Sequence, residues 1–589
     1  MVAIPSFVLR RLYVKGSLRN TAQGCSFALK NTVDRGTVTQ LGDVEVDGTA
    51  YPPDRLRIHT PEGAIFSGDE ITAGSPLTLP QSVGIRLQIS GVALSPGRHK
   101  LRLRFQTQEM GELAFDVSDE LQAAQASGEV PPGEGAGPEA SRAHAEMQEA
   151  GRRARDLKIA ILGAGSAVFA RQLIADILCT PGLERGTFAL VDIDPTRLEL
   201  AHGIAERLVA RSGRAWSVVS STERRDLLHG CDYVISLIEV AGLRHVRHDY
   251  EIPLKYGVDQ CIGDTSGPGG LFKMLRTGPA WLEIVRDVAR MCPQAVVMNY
   301  TNPMSALTLL ALQATDLQLV GLCHSVQGTS KDLAGYLDIP LDELRYRCAG
   351  INHMAWFVEL THEGKDLYPR LREVAQDPEI YDCDPVRFEM MRHFGAFVTE
   401  SSGHFSEYLP YFRKRPDLLE RYTREGYRGE SGFYARNWPR WRAEADEAIR
   451  AQLGGQREIL LARSDEYASY IIEACESGRP AVIHGNVLNK GLIDNLPAGG
   501  CVEVPVLVDG TGLRPIRFGS LPAQMAALNA AHMYVHELMA QAVLERDRSA
   551  ARRALMLDPL TAAVLSPAEI QALFDEMWEA EREDLQAFD

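Results

Sequence analysis

Over the first 120 residues apolar positions recur at every second place. Ile85, Leu87 and Ile89 alternate with Arg86 and Gln88, and Leu101, Leu103 and Phe105 alternate with Lys100, Arg102 and Arg104. A period of two turns one set of side chains to a core and the other to water, as in a half-buried strand. The short apolar runs Phe7-Val8-Leu9 and Leu12-Tyr13-Val14 also suit strands. Turn-forming clusters separate such segments at Tyr51-Pro52-Pro53-Asp54, Pro61-Glu62-Gly63 and Ser95-Pro96-Gly97. Residues 1–120 therefore read as a small all-β accessory domain, an antiparallel sandwich or barrel.

The pattern breaks over residues 121–156. The stretch from Ser127 to Pro138, SGEVPPGEGAGP, has the composition of a flexible linker, and the charged, Ala-rich piece through Arg155 predicts a short helix or mobile chain. From Leu157 the period changes again. Lys158-Ile159-Ala160-Ile161-Leu162 is a short apolar run, a Gly-rich turn follows, and Phe169 to Leu178 is a helical stretch. Phe188-Ala189-Leu190-Val191-Asp192, Tyr233 to Ile238 and Ala295 to Asn299 read as further buried strands. Strands alternating with helices predict an α/β fold, a Rossmann-type doubly wound parallel sheet over residues 157–350. Residues 351–589 are mixed and helix-rich, and read as a C-terminal α/β substrate and metal domain packed on the first. No internal repeat is visible.

Composition narrows the classes. The chain has 589 residues, 45% hydrophobic and 24% charged, with a net charge of −16. Those are globular proportions, and the acidic balance leaves no basic footprint for nucleic acid or an anionic membrane. The N-terminus has no long apolar stretch of a secretory signal, and no run approaches the roughly 18 apolar residues that cross a bilayer. The ten cysteines are scattered singly, which points to a reducing, cytoplasmic setting.

The turn Gly163-Ala164-Gly165-Ser166-Ala167-Val168 follows the first strand of the α/β pattern. Its first glycine permits a tight turn. The second lets backbone approach a pyrophosphate, which then sits at a helix N-terminus with Ser166 beside it. The third glycine of the usual fingerprint is replaced by Val168, implying a slightly wider helix–strand contact. Asp192 ends the second strand, 29 residues beyond Gly163. A carboxylate there accepts hydrogen bonds from the ribose hydroxyls of NAD and repels the 2′-phosphate of NADP. Asp194 is the expected N-cap of a helix that begins at Pro195.

Three later segments carry polar chemistry: Asn299-Tyr300-Thr301-Asn302-Pro303-Met304, Gly321-Leu322-Cys323-His324-Ser325-Val326-Gln327-Gly328 and Gly350-Ile351-Asn352-His353-Met354. A thiolate and an imidazole from two loops can share one divalent ion, leaving open positions for substrate hydroxyls. The 30-residue spacing of Cys323 and His353 is no standard zinc-finger pattern. From spacing alone, a buried apolar cysteine and a satisfied core histidine are the commoner reading.

From Lys158 onward the chain resembles glycoside hydrolase family 4, in its α-galactosidase branch. The resemblance rests on Ile161 to Ser166, Val191 to Leu198, Asp264-Thr265-Ser266-Gly267-Pro268-Gly269-Gly270, Asn299 to Met304, Gly321 to Thr329, Arg347 to Ala355, Val398-Thr399-Glu400-Ser401-Ser402-Gly403-His404, Gly491 to Pro497 and Asp558 to Leu565. It implies Cys323 and His353 as Mn²⁺ ligands, Asn302 and Asp264 as sugar contacts, and His324 as the acid assisting the leaving oxygen. It implies Tyr408 as the base, with Tyr411 the near alternative. Cys323-His324-Ser325-Val326 lacks the Asp or Asn after cysteine that marks the 6-phosphoglycosidases of the family. Residues 1–120 lie outside the resemblance.

The implied reaction is redox elimination, unlike the two-carboxylate route of ordinary glycosidases. C3 is oxidised with NAD, the C2 proton is removed, the C1–O bond breaks, water adds and C3 is reduced again. The expected substrate is a small oligosaccharide or α-glycoside, an α-galactoside first. An α-glucoside comes next, or an α-uronate, for which Arg276 or Arg413 would supply the added cation. The other classes are a plain NAD-dependent hydroxyacid dehydrogenase, and a binding protein with an inert catalytic half. A homo-oligomer is expected.

Overall fold

A computed structural model of the chain describes residues 9, 12–14, 16–21, 23–31, 36–60, 65–79, 84–108, 111–121 and 155–588. Of the strand expected at Phe7-Val8-Leu9 only Leu9 is described, and it is helical; the turn at Pro61-Glu62-Gly63, the linker over 122–154 and the side chain of Val168 lie outside the described residues. The chain divides into two compact units. One comprises Met1–Ala143, Ser330–Arg345 and Thr361–Ile380, the other His144–Thr329, Tyr346–Leu360 and Tyr381–Asp589.

The N-terminal region is all-β. One sheet runs in the order Arg19–Thr21, Gly24–Lys30, Gly84–Ser90, Leu56–His59, Ile65–Ser67. The second runs Thr49–Tyr51, Val44–Val46, Gly97–Thr107, Gly36–Leu41, Leu77–Leu79, with Gly111–Leu121 also paired to Gly97–Thr107. The period-two pattern is what buries them. Leu87 pairs with Phe27 and Ile89 with Cys25 across one sheet, and these side chains share a core with Val44, Val46, Leu101, Leu103 and Phe115 of the other. Leu12-Tyr13-Val14, expected as a strand, forms a single antiparallel bridge from Tyr13 to Leu29, with the Val14 N–H donating to the Ala28 carbonyl at 2.9 Å and the Lys30 N–H to the Leu12 carbonyl at 2.7 Å. Asp119 anchors this stretch. Its buried carboxylate accepts from the Tyr13 hydroxyl at 2.8 Å and from the backbone N–H groups of Gly16 at 2.9 Å and Leu18 at 3.1 Å. A buried carboxylate needs such donors, and they tie residues 13–18 to the far end of the strand Gly111–Leu121.

The second unit is an α/β body. Six parallel strands, Leu157–Leu162, Arg185–Val191, Ala215–Ser221, Tyr233–Ser236, Val296–Asn299 and Gln318–Gly321, lie in the spatial order 3-2-1-4-5-6 when counted along the chain. That is the order of a doubly wound dinucleotide-binding sheet. The inner strands are buried along nearly their whole length, which is why they read as continuous apolar runs. The edge strand Ala215–Ser221 gives no such signal, because only Trp216 in it is buried. The sheet continues into mixed strands Ala481–Leu488, Cys501–Asp509, Arg345–Ile351 and Met354–His362. The helix Gly267–Met291 packs Phe272, Leu275, Trp281 and Val285 into the main core, with Met539, Phe574 and Met577 of the C-terminal helices. Gly163, Asp192, Asn302 and Cys323 all fall one to three residues beyond the carboxyl ends of parallel strands, the edge at which such sheets bind ligands.

Candidate active site

A cavity of about 630 Å³ opens at that edge. One wall is the glycine turn. Gly163 has φ +78°, in the left-handed region that favours glycine, and a Cβ there would stand 2.7 Å from the Leu237 backbone. A Cβ on Gly165 would stand 2.6 Å from Asp192 Oδ2. The Gly165 N–H donates to that oxygen at 2.8 Å and the Asp194 N–H to Oδ1 at 3.0 Å, so the Asp192 carboxylate is fixed on the wall. Arg197 locks the turn from outside, donating from Nε to the Gly165 carbonyl at 2.8 Å while pairing with Asp446 at 2.7 Å. Ser166 precedes the helix Ala167–Cys179 and makes no side-chain cap, and it too lines the cavity. Asp194 caps the helix Pro195–Ser212 by accepting from Thr196 and Arg197 N–H, as expected.

Across the cavity stand Cys323, His353 and Glu400. Their ligating atoms all lie within 4.8 Å of one another. Cys323 follows the strand Gln318–Gly321, His353 sits in the turn between Arg345–Ile351 and Met354–His362, and Glu400 follows Phe397–Val398. His353 and Glu400 hold φ values of +63° and +75°. For residues with a Cβ such conformations cost on the order of 1–3 kcal/mol and cluster at functional sites. Burial, with the Glu400 charge, pushes the Cys323 thiol up to about 11. Burial opposes ionisation of Glu400, but the His353 and His404 imidazoles outweigh it and hold the carboxyl well below its usual range. A thiol, an imidazole and a carboxylate converging in this way fit a divalent ion, which would itself favour the thiolate.

Polar side chains continue the wall. Asp264 accepts from Thr265 Oγ1 at 2.7 Å, Lys273 Nζ at 3.3 Å and Asn302 Nδ2 at 3.4 Å, and lies 3.8 Å from His404 Nε2. Burial works against its charge, yet Lys273 and His404 keep its carboxyl below the ordinary value. The loop bearing Asp264 is clamped by buried Glu407, which accepts from the N–H groups of Cys261 at 2.7 Å, Ile262 at 2.6 Å and Gly263 at 3.0 Å. Asp558 secures the other side, accepting from Gly267 N–H at 3.1 Å while capping its own short helix. Burial disfavours charge on His404, but Glu400 and Glu407 raise its pKa, and its Nε2 is buried without a hydrogen-bond partner.

The structure separates the two tyrosines that the sequence left open. Tyr408 is 1% exposed, its hydroxyl 3.2 Å from His353 Nδ1. Its ring packs edge-on against His353 and His404, and Tyr427 and Tyr434 line the cavity. Tyr411 is 39% exposed and packs against Phe394 and Phe412. His324 lines the cavity with its side chain 71% exposed, 3.6 Å from Glu466. Neither arginine considered for a uronate is free. Arg276 is paired with Asp249 and Glu581, and Arg413 with Asp259, all buried away from the cavity wall. Sequence reasoning gave no role to Glu400, His404, Lys273 or Glu407. The signals were present: two titratable groups inside Val398–His404, and a single lysine within the apolar run Leu271-Phe272-Lys273-Met274-Leu275.

Residues 158–339 match the family model described as "Family 4 glycosyl hydrolase", and residues 348–561 match "Family 4 glycosyl hydrolase C-terminal domain". Residues 8–122 match "Hydroxymethylglutaryl-CoA reductase, N-terminal domain". An alpha-galactosidase of Bacillus subtilis (strain 168) is 40% identical over 429 residues, spanning 72% of this chain and 98% of the relative. An alpha-galactosidase of Rhizobium meliloti (strain 1021) is 37% identical over 443 residues, spanning 71% of this chain and 87% of the relative. A 6-phospho-alpha-glucosidase from gut microorganisms, solved in complex with NAD and Mn²⁺, shares the fold with a TM-score of 0.61 at 19% identity, over 73% of this chain and 99% of that one. On these grounds the chain belongs to glycosyl hydrolase family 4 and is a glycoside hydrolase.

Proposed function

We propose that the protein hydrolyses a small α-galactoside with NAD and Mn²⁺ bound. The observation that carries this is one cavity joining a glycine turn with its fixed Asp192 to the Cys323, His353 and Glu400 group. The two similar α-galactosidases favour the sugar, and the NAD and Mn²⁺ complex of the 6-phospho-alpha-glucosidase favours the cofactors. Gly163, Gly165, Ser166 and Asp192 would hold NAD, the close approach at Gly165 leaving no space for a side chain. Cys323 and His353, with Glu400 added by the geometry, would hold Mn²⁺.

When bound, NAD supplies a reversible hydride acceptor for C3 and Mn²⁺ a Lewis acid for the neighbouring oxygens. Asn302 and Asp264 bind and orient the sugar hydroxyls. Tyr408 takes the C2 proton. Burial and the carboxylates of Asp264, Glu400 and Glu407 push its phenol well above the ordinary value, so the phenolate forms only with added positive charge at the Cys323 cluster. With Nε2 of His353 turned to that cluster, its Nδ1–H donates to the Tyr408 oxygen and favours the same state. His324, at the open side, gives its proton to the leaving glycosidic oxygen. None of the ten cysteines is in a disulfide and, among the described residues, no helix is long and apolar enough to cross a membrane. Both agree with a cytoplasmic enzyme.

Release of p-nitrophenol from a panel of α-glycosides tests the reading, with and without NAD⁺, Mn²⁺ and reductant. The α-galactoside is expected to be cleaved only with both cofactors and without net NADH. Undiminished cleavage by protein stripped of both overturns the mechanism, and accumulating NADH favours a dehydrogenase. Faster release from an α-glucoside or α-uronate changes the sugar alone.

A further inference from the structure

Outside the cavity two more imidazoles meet. His245 ends the short helix Gly242–His245 and His248 begins the helix His248–Lys255. Their Nδ1 atoms stand 3.2 Å apart, a separation at which both nitrogens reach one ion at about 2.0–2.1 Å. His245 Nε2 lies 2.6 Å from Asp584 Oδ2. That bond places the ring proton on Nε2 and leaves the Nδ1 lone pair directed towards His248. A carboxylate behind the far nitrogen is the usual support of a metal-binding histidine.

Glu581 completes the group. Its carboxylate brings an oxygen within 4.8 Å of both imidazole nitrogens. Oε2 accepts from Arg276, whereas Oε1 is buried with no hydrogen-bond partner, and the residue is 0% exposed. Such an orphaned acceptor is rare in a folded interior. Around the cluster Asp249 pairs with Arg276, and Asp584 with Arg244 and His245.

We propose that His245, His248 and Glu581 form a second divalent-metal site, distinct from the Cys323 cluster, that takes a zinc-like ion and pins the C-terminal segment to the loop after Tyr233–Ser236. Two nitrogens and one carboxylate oxygen, with a water in the fourth place, suit tetrahedral Zn²⁺ better than the all-oxygen shells of Mg²⁺ or Ca²⁺. Glu581 comes from the far end of the chain, so a bound ion ties two segments that are contiguous only in the folded state. The inference stands independently of the substrate assigned above.

The test uses the full chain carrying Cys323→Ala and His353→Ala, which removes the other cluster. After chelation and reloading with Zn²⁺, this protein is expected to retain one equivalent per chain by mass spectrometry of the metal, and its thermal midpoint to rise. Adding His248→Ala is expected to abolish both effects, and Asp584→Asn to weaken binding about 10–100-fold. Co²⁺ in the same double variant is expected to show the visible bands of a tetrahedral nitrogen and oxygen site without a thiolate band. This readout does not depend on whether the His248 variant folds. No bound Zn²⁺ in the double variant, Zn²⁺ retained unchanged after His248→Ala, or a Co²⁺ spectrum of octahedral solvent type overturns the proposal.

Discussion

The two ends of the cavity are built in different ways. The dinucleotide end is local: Gly163, Gly165, Ser166, Asp192 and Arg197 lie within 35 consecutive residues, and the Asp192 and Arg197 side chains bond to the backbone of that same stretch. The sugar end draws Asp264, Asn302, Cys323, His353, Glu400 and His404 from several loops, and it is these that carry left-handed backbone at residues with a Cβ, shifted carboxyls and an unpaired buried nitrogen. A local unit is rigid because its few residues determine each other. An assembled site stores strain and charge that the rest of the fold must hold in place.

Perturbing one end and reading the other separates them. Cys323→Ser should have the largest effect, lowering kcat at least about 1000-fold through loss of several kcal/mol of Lewis-acid stabilisation. NAD binding, followed by fluorescence titration, should stay intact, and a matching loss there breaks the comparison. Tyr408→Phe should slow C2–H cleavage by about 100-fold or more. Washout of deuterium from a 2-deuterated substrate at the wild-type rate would count against Tyr408 and turn attention to Tyr427 and Tyr434 on the cavity wall.

Lys273→Met leaves the buried Asp264 charge without its 3.3 Å partner and should cost about 3–5 kcal/mol at neutral pH. Asp264 has its pKa lowered in the folded chain. Its contribution is therefore present above the unfolded carboxyl value of about 4 and is lost as pH falls from there towards the lower folded value. Denaturation of the cofactor-free protein should show the gap between variant and wild type narrowing below about pH 4, and a gap constant with pH would contradict the assignment. The smallest effect is expected for Gly165→Ala. Its Cβ would displace Asp192, weakening NAD about tenfold, near 1.4 kcal/mol, with metal affinity unchanged by calorimetry.

The legibility of the molecule follows the same division. The buried strands Leu157–Leu162, Tyr233–Ser236 and Val296–Asn299 were readable because burial on both faces demands apolar runs. Ala215–Ser221 was not, since an exposed edge demands almost nothing of its residues. The buried anchor that Asp119 gives Tyr13 from a hundred residues away leaves no mark on the local pattern. Glu400 and His404 lay in a recognised stretch without a role, and Glu407 and Lys273 act through partners that no spacing reveals.

What the residues alone determined is everything that depends on neighbours along the chain: strand periods, the glycine turn, the Asp194 cap and the donor chemistry of Cys323 and His353. Tertiary structure decided which of those donors converge. It added Glu400 to the cluster, put Tyr408 rather than Tyr411 against His353, and consumed Arg276 and Arg413 in buried ion pairs. The reason is physical. Backbone geometry is set within a few bonds, whereas coordination, ion pairing and shifted pKa values fall off over a few ångströms of space that only the packed chain defines.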